Sequence, residues 1–142
     1  MNKSPDCYNC LIQNTCLDDV AFGDTNNEFE DVAGNATGGA RAGQSNFSIC
    51  ESTIDCILAT ACAATDIATC YCGTFAGSAC ATQSLPGNGP CAQDEADGVN
   101  QLATAAASAV SPLLGNRNSA SGKADAIFAC SVLNGCSTLC NQ

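Results

Sequence analysis

The chain has 142 residues, enough for one small domain, and 13 of them are cysteine, while histidine and tryptophan are absent. Leu, Ile, Val and Phe together make up only 25 residues, and the net charge is −10; a chain of this kind usually stays disordered unless it is cross-linked. Four basic residues against 14 acidic ones exclude a nucleic-acid-binding or anionic lipid-binding surface. No apolar run is long enough for membrane insertion.

The cysteine content is typical of disulfide-rich proteins from oxidising compartments, so we expect a secreted, extracellular or cell-surface protein. The first residues, Met1 to Asp6, are polar and unlike a signal peptide, and we therefore expect a mature or trimmed form without its export signal. We predict a mainly α-helical, disulfide-rich single domain over residues 1–142. An intracellular metal-binding chain is the alternative.

The sequence of the N-terminal third of the chain predicts one helix followed by a long loop. Residues 6–21 contain few helix breakers, and Pro5 would lie in the first turn, where its missing N–H costs little. Residues 22–46 are rich in Gly and Asn and poor in large apolar side chains, which predicts a long loop or excursion.

The sequence of the central segment predicts a helix followed by a region of tight turns. From Phe47 to about residue 65, apolar residues recur at helical spacing, with Ser48 as the expected N-cap and Glu51 three residues later. Near residues 68–82, closely spaced cysteines and glycines predict a short turn or strand pair.

The C-terminal half predicts two further helices. Residues 85–90 form a turn-rich connection, and an Ala-rich helix follows from Cys91 to Val110, which Ser111 and Pro112 should end. A polar turn at 115–118 precedes a last helix over residues 123–140.

The cysteines fall into two sets along the chain, and all of them are disulfide candidates. We hypothesise that the three near the N-terminus pair with the three near the C-terminus, which leaves seven in the middle. Because the total is odd, one cysteine of the middle set is either a buried, inert thiol or a link to another chain. The terminal set comprises Cys7, Cys10, Cys16, Cys130, Cys136 and Cys140; the middle set comprises Cys50, Cys56, Cys62, Cys70, Cys72, Cys80 and Cys91.

Three short elements occur in order: Cys70-Tyr-Cys-Gly73, Asn88-Gly-Pro-Cys91 and Pro112-Leu-Leu-Gly115. Over roughly residues 50–140 the chain thus resembles cysteine-rich secreted proteins of unknown function from myxobacteria and related deltaproteobacteria. An extra Leu interrupts the last element. The resemblance implies an exported envelope or extracellular protein and carries over no established chemistry.

A weaker resemblance is to fungal eight-cysteine surface domains that bind haem, in which an aspartate ahead of a Cys-x-Cys element ligates the iron. Asp66, before Cys70 and Cys72, occupies the matching position, although three residues separate it from Cys70 where that pattern usually has two. The resemblance implies that Asp66 is a haem ligand. The alternative is a solvated turn aspartate or a helix cap.

A second ligand prediction concerns calcium. Oxygen-bearing side chains cluster between residues 24 and 35, as in calcium-binding loops, although the glycine typical of the sixth position is missing. The candidate ligands are Asp24, Asn26, Glu28, Glu30 and Asp31.

The chain lacks the residues of the common catalytic sets. Without histidine there is no Ser-His-Asp triad and no Cys-His pair, and without tryptophan a carboxylate pair such as Asp94 and Asp97 has little aromatic surface for a sugar. Solvated acidic faces are the favoured interpretation of these carboxylates. We therefore predict that the protein is not an enzyme.

The favoured function is that of a secreted structural or interaction protein, self-associating as a subunit of an extracellular fibre or surface coat. Small residues that allow close approach of backbones, and the odd cysteine, favour this hypothesis. The alternative is a secreted carrier of a ligand or cofactor, with haem or calcium as the first candidates.

Overall fold

The structure is a computed structural model that describes residues 5–17, 32–75 and 77–140. Within these ranges the fold is mainly helical, as predicted, and none of the helices is long and apolar enough to cross a lipid bilayer. The α-helices are α1 (Pro5–Gln13), α2 (Asn46–Thr60), α3 (Ala68–Cys72), α4 (Ala92–Gly98), α5 (Ala107–Leu114), α6 (Ala120–Leu133) and α7 (Ser137–Cys140), with 3-10 helices at Cys62–Ala64 and Gly77–Thr82.

Helix α1 begins at Pro5 but is shorter than the sequence predicts. It ends at Gln13 because Thr15 adopts a left-handed conformation with φ of 53°, which α-helical residues do not have. The Cys16 amide then donates to the Leu11 carbonyl at 2.9 Å and closes the end of the helix. The predicted continuation to residue 17 is therefore wrong, and residues 18–21 lie outside the described residues.

The described part of the predicted long loop, residues 32–45, is a closed loop with its own hydrogen bonds. Asn35 and Ser45 form an isolated antiparallel bridge, and the Ala36 amide donates to the Gln44 carbonyl at 2.8 Å. Val32 and Ala36 are buried. The loop is thus anchored in the core at one end, whereas the predicted portion over 22–31 lies outside the described residues.

Helix α2 confirms the predicted central helix with two changes at its ends. Ser45 is the N-cap, and its side chain accepts a hydrogen bond from the Ser48 amide; the prediction of Ser48 as the cap is therefore wrong. The helix stops at Thr60 because Ala61 is left-handed, with φ of 51°.

The predicted turn or strand pair near residues 68–82 is a short α-helix followed by a 3-10 helix. The strand alternative is wrong because the Cys70 and Gly73 amides make local helical hydrogen bonds, to the Ile67 and Thr69 carbonyls. Gly73, with φ of 60°, then ends α3 against Asn88, where a Cβ atom would clash.

The Ala-rich segment forms two helices, not one helix from 91 to 110. Asn100, with a left-handed φ of 60°, separates α4 from α5. Pro112 lies inside α5 and does not end it. The helix continues because Ala107, Val110 and Leu114 lie at helical spacing and are all buried.

The predicted last helix over 123–140 is also two helices. Helix α6 is capped by the Ser119 side chain, which accepts from the Gly122 amide at 3.0 Å. Gly135, with φ of 72°, turns the chain between α6 and α7.

Two larger apolar cores, with a small third cluster around Ile57, Cys70 and Cys91, organise the described residues. The terminal core lies among α1, α2, α6 and α7 and includes Leu11, Ile49, Ile54 and Ile127. The middle core lies among α3, α4 and α5 and includes Tyr71, Ala96 and Val110. Helix α4 packs against α2 and α6 as well, so it joins the two cores.

Candidate functional site

Three disulfides join the two ends of the described chain. Cys7 pairs with Cys140, Cys10 with Cys136 and Cys16 with Cys130. The hypothesis that the terminal cysteines pair with one another is confirmed. These bridges hold α1 against α6 and α7 and close almost the whole sequence into one loop.

The remaining three disulfides lie within the middle set. Cys56 pairs with Cys91, Cys62 with Cys70 and Cys72 with Cys80. The first two are in contact, because the Sγ atoms of Cys62 and Cys91 lie 3.8 Å apart. We call these two bridges the sulfur cluster.

Cys50 is the cysteine outside the six disulfides, and it belongs to the middle set as predicted. It lies on α2 in the terminal core and is 1% exposed. Of the two alternatives for the odd cysteine, the structure therefore favours the buried thiol over a link to another chain.

An apolar groove of about 210 Å³ lies beside the sulfur cluster, between the end of α2, the following 3-10 helix and α6. The drug-sized pockets of proteins are typically larger, about 300–1,000 Å³. The groove is lined by Ile57, Ala61, Ala63, Ala64, Phe128, Val132 and Ser137. It therefore offers an apolar surface and no charged group.

An ion-pair network fixes the 32–45 loop to α4. The Arg41 guanidinium contacts Asp94 Oδ1 at 2.6 Å and Asp97 Oδ2 at 3.4 Å. The Asp97 carboxylate also accepts from the Ala40 amide at 2.8 Å and from the Gln93 side chain at 2.7 Å. Asp97 is 1% exposed, so its predicted place on a solvated acidic face is wrong.

Two further carboxyl groups meet between α4 and α6. Glu95 is 1% exposed, and burial together with the nearby Asp125 charge raises its pKa well above the usual range. Burial also raises the pKa of Asp125, from 3.8 to about 7, although a hydrogen bond with Glu95 opposes the shift. Glu95 Oε2 and Asp125 Oδ1 are buried without a hydrogen-bond partner among the described residues. This pair is therefore arranged to hold a proton between the two helices.

Of the residues predicted to bind ligands, the structure describes only Asp66. Asp66 is exposed, and its Oδ1 accepts a hydrogen bond from the Ala68 amide at 2.9 Å at the start of α3. This is the solvated turn aspartate that was the alternative to a haem ligand, since the N-cap of α3 is Ile67 and no side chain caps it. The calcium candidates, residues 24 to 31, lie outside the described residues.

The sulfur cluster and the buried carboxyl pair were not predicted from the sequence. The only local signal for Glu95 was its position in the first turn of a predicted helix, which equally favours exposure. Contact between two disulfides depends on the pairing, which spacing alone does not determine.

Comparisons with protein-family models, curated proteins and solved structures found no match to this chain.

Proposed function

We propose that this protein is a secreted structural or interaction protein, a disulfide-closed scaffold that self-associates in an extracellular fibre or surface coat. The observation that carries the proposal is the set of three disulfides that join its two ends. Such bridges persist in oxidising compartments, and they protect a chain with few large apolar residues from unfolding.

Exposed apolar side chains support self-association. Tyr8 and Ile12 on α1 are exposed, as are Val132 and Leu133 at the end of α6, and Leu133 is 80% exposed. Cys10 of α1 is bridged to Cys136, which follows α6, and Cys130 of α6 is bridged to Cys16, which follows α1, so these side chains belong to connected elements. Apolar surface of this kind marks interaction sites when it is contiguous. The contact would be noncovalent, because Cys50 is buried.

Light scattering on the oxidised protein tests the proposal. We expect the mass to increase with protein concentration and to return to that of the monomer in the double variant Val132→Lys, Leu133→Lys. The matched control is Leu102→Lys, at a side chain that is 55% exposed outside this region. A monomer at every concentration, or equal loss of assembly in the control, would contradict self-association through these residues.

The apolar groove supports a second candidate, a secreted carrier. Its lining favours a small apolar ligand over an ion, since every lining residue except Ser137 is apolar. A visible spectrum and elemental analysis of the protein from its native source test for haem and calcium. The absence of both, and no binding of small apolar probes, would contradict the carrier proposal.

A further inference from the structure

The sulfur cluster brings three sulfur atoms of two different disulfides together. The Sγ atoms of Cys62, Cys70 and Cys91 all lie within 4.8 Å of one another. All three are in disulfides, so the 3.8 Å approach of Cys62 to Cys91 is a van der Waals contact with no hydrogen to share. A thiolate released from one bridge would therefore lie beside the other bridge.

The four cysteines of the cluster differ in accessibility. Cys70 and Cys91 are completely buried, whereas Cys56 and Cys62 are partly exposed. Cys62 lies next to Ala61 and Ala63, which line the apolar groove. A thiol from solvent can therefore reach the partly exposed Cys62, but it cannot reach Cys70 directly.

We propose that the sulfur cluster is a thiol–disulfide exchange site, which captures an external monothiol on Cys62 and exposes a new thiol at Cys56. This activity goes beyond the proposed scaffold function and does not depend on self-association. It requires only the described disulfides and a thiol-bearing partner.

The exchange proceeds in two balanced steps. The external thiol loses its proton to water and, as a thiolate, attacks Cys62 Sγ; an S–S bond forms to Cys62 and the bond to Cys70 breaks, which releases the Cys70 thiolate. This thiolate attacks Cys91 Sγ, forms a Cys70–Cys91 disulfide and displaces the Cys56 thiolate, which takes a proton from water. Two disulfide bonds and one thiol are present before and after, so no oxidant or reductant is needed.

The backbone already supports the new pairing. The Cys91 amide donates to the Cys70 carbonyl at 2.9 Å, which places these residues side by side at a separation that a disulfide can span. Gly89 allows this approach, since a Cβ atom there would clash with the Cys70 carbonyl. On the other side, Cys56 Sγ lies 3.6 Å from the Pro90 carbonyl at an exposed position. The displaced thiolate is thus the accessible one.

The test uses the full-length oxidised protein and a limited amount of cysteamine, followed by alkylation and peptide mapping without reduction. We expect cysteamine on Cys62, a new Cys70–Cys91 disulfide and the alkyl label on Cys56. Because the second step is intramolecular and Cys70 is buried whereas Cys56 is partly exposed, most of the label should be on Cys56 and little on Cys70. A label on Cys70 with Cys56–Cys91 intact would overturn the proposal, and a Cys62–Cys91 product would overturn the assigned order of attack.

Two variants separate the cluster from its surroundings. The double variant Cys56→Ala, Cys91→Ala lacks the bridge that the Cys70 thiolate attacks, so the alkyl label should be found on Cys70. The control is Cys72→Ala, Cys80→Ala, which removes a bridge outside the cluster, of sequence separation 8 against 35 for Cys56–Cys91, and should leave the exchange unchanged. Loss of the exchange in this control variant would show that the exchange does not depend on the sulfur cluster alone. If a variant does not fold, the disulfide map of the unaltered protein after cysteamine treatment still tests the proposal.

Discussion

The terminal and middle cysteine sets each form three disulfides, but those disulfides close loops of very different length. The terminal bridges span 133, 126 and 114 residues, whereas those of the middle set span 35, 8 and 8. Closing a loop of 100 residues removes about 4.7 kcal/mol of denatured-state entropy, against about 3 kcal/mol for 15 residues. The same number of bridges therefore constrains the two regions to different degrees.

The middle core depends more on polar contacts at α4. One bridge, Cys56–Cys91, ties α4 to α2, and the remaining anchors are the Arg41 network and the contact between α4 and α6. We therefore expect the terminal core to respond most to loss of disulfides and the middle core to respond most to loss of buried polar groups.

The largest effect should follow removal of all three terminal bridges by alanine at their six cysteines. We expect the free energy of unfolding to fall by about 5 kcal/mol or more, because no long loop remains closed. Urea unfolding followed by circular dichroism measures the loss. Removal of Cys72–Cys80 alone is the control and should cost about 2–3 kcal/mol. An equal cost for the two changes would show that the terminal bridges do not constrain the chain more than the short ones.

The next largest effect should come from Arg41→Ala. This change leaves the buried Asp97 carboxylate without its cation, although the Ala40 amide and Gln93 still donate to it. We expect a loss of about 2–3 kcal/mol in the free energy of unfolding. Arg117→Ala, at an exposed site, should change it by less than about 0.5 kcal/mol. A loss for Arg41 as small as that for Arg117 would show that the network does not anchor α4.

A smaller effect should come from Gly98→Ala, which tests the contact of α4 with α6. A Cβ atom at residue 98 would clash with the Ser121 side chain and backbone, and the Ser121 hydroxyl donates to the Glu95 carbonyl at 2.7 Å. We expect a loss of about 1–3 kcal/mol in thermal or urea unfolding. Gly115→Ala meets no atom within 4 Å and serves as the control. Equal stability of the two variants would mean that α4 and α6 do not pack this closely.

A further expected effect is a pH dependence of the contact between α4 and α6. A carboxyl whose pKa is higher in the folded than in the unfolded chain stabilises the fold in its protonated form. Its contribution is complete below the unfolded value and is lost as the pH rises through the folded value, which is about 7 for Asp125. We therefore expect the unfolding free energy to fall between about pH 4 and pH 7.

Substitution of Asp125 checks this expectation. Asp125→Asn should make the unfolding free energy fall less steeply with pH, because the residue no longer titrates. The control Asp6→Asn, at an exposed site on α1, should leave the slope unchanged. Urea midpoints measured at several pH values give the slope. An unchanged slope in Asp125→Asn would assign the pH dependence to other groups.

Part of the fold could be predicted because its causes are local. The apolar spacing in α2 and the first-turn position of Pro5 are properties of short segments. The grouping of cysteines into terminal and middle sets was also sufficient to predict which ends pair. These signals do not require knowledge of the tertiary contacts.

The rest depended on contacts between distant residues. Pro112 predicted the end of a helix, but burial of Val110 and Leu114 in the middle core keeps α5 helical through it. Asp97 has the local pattern of a surface acid, and its burial depends on Arg41, which lies 56 positions earlier in the chain. The sulfur cluster likewise arises only when α2, α3 and the start of α4 come together.

Three disulfides close the terminal core end to end. Peptide mapping by mass spectrometry without reduction, on protein alkylated under denaturing conditions, tests it most directly. The expected result is Cys7 with Cys140, Cys10 with Cys136 and Cys16 with Cys130, with the alkyl label on Cys50. Bridges from the three N-terminal cysteines to the middle set would contradict the account.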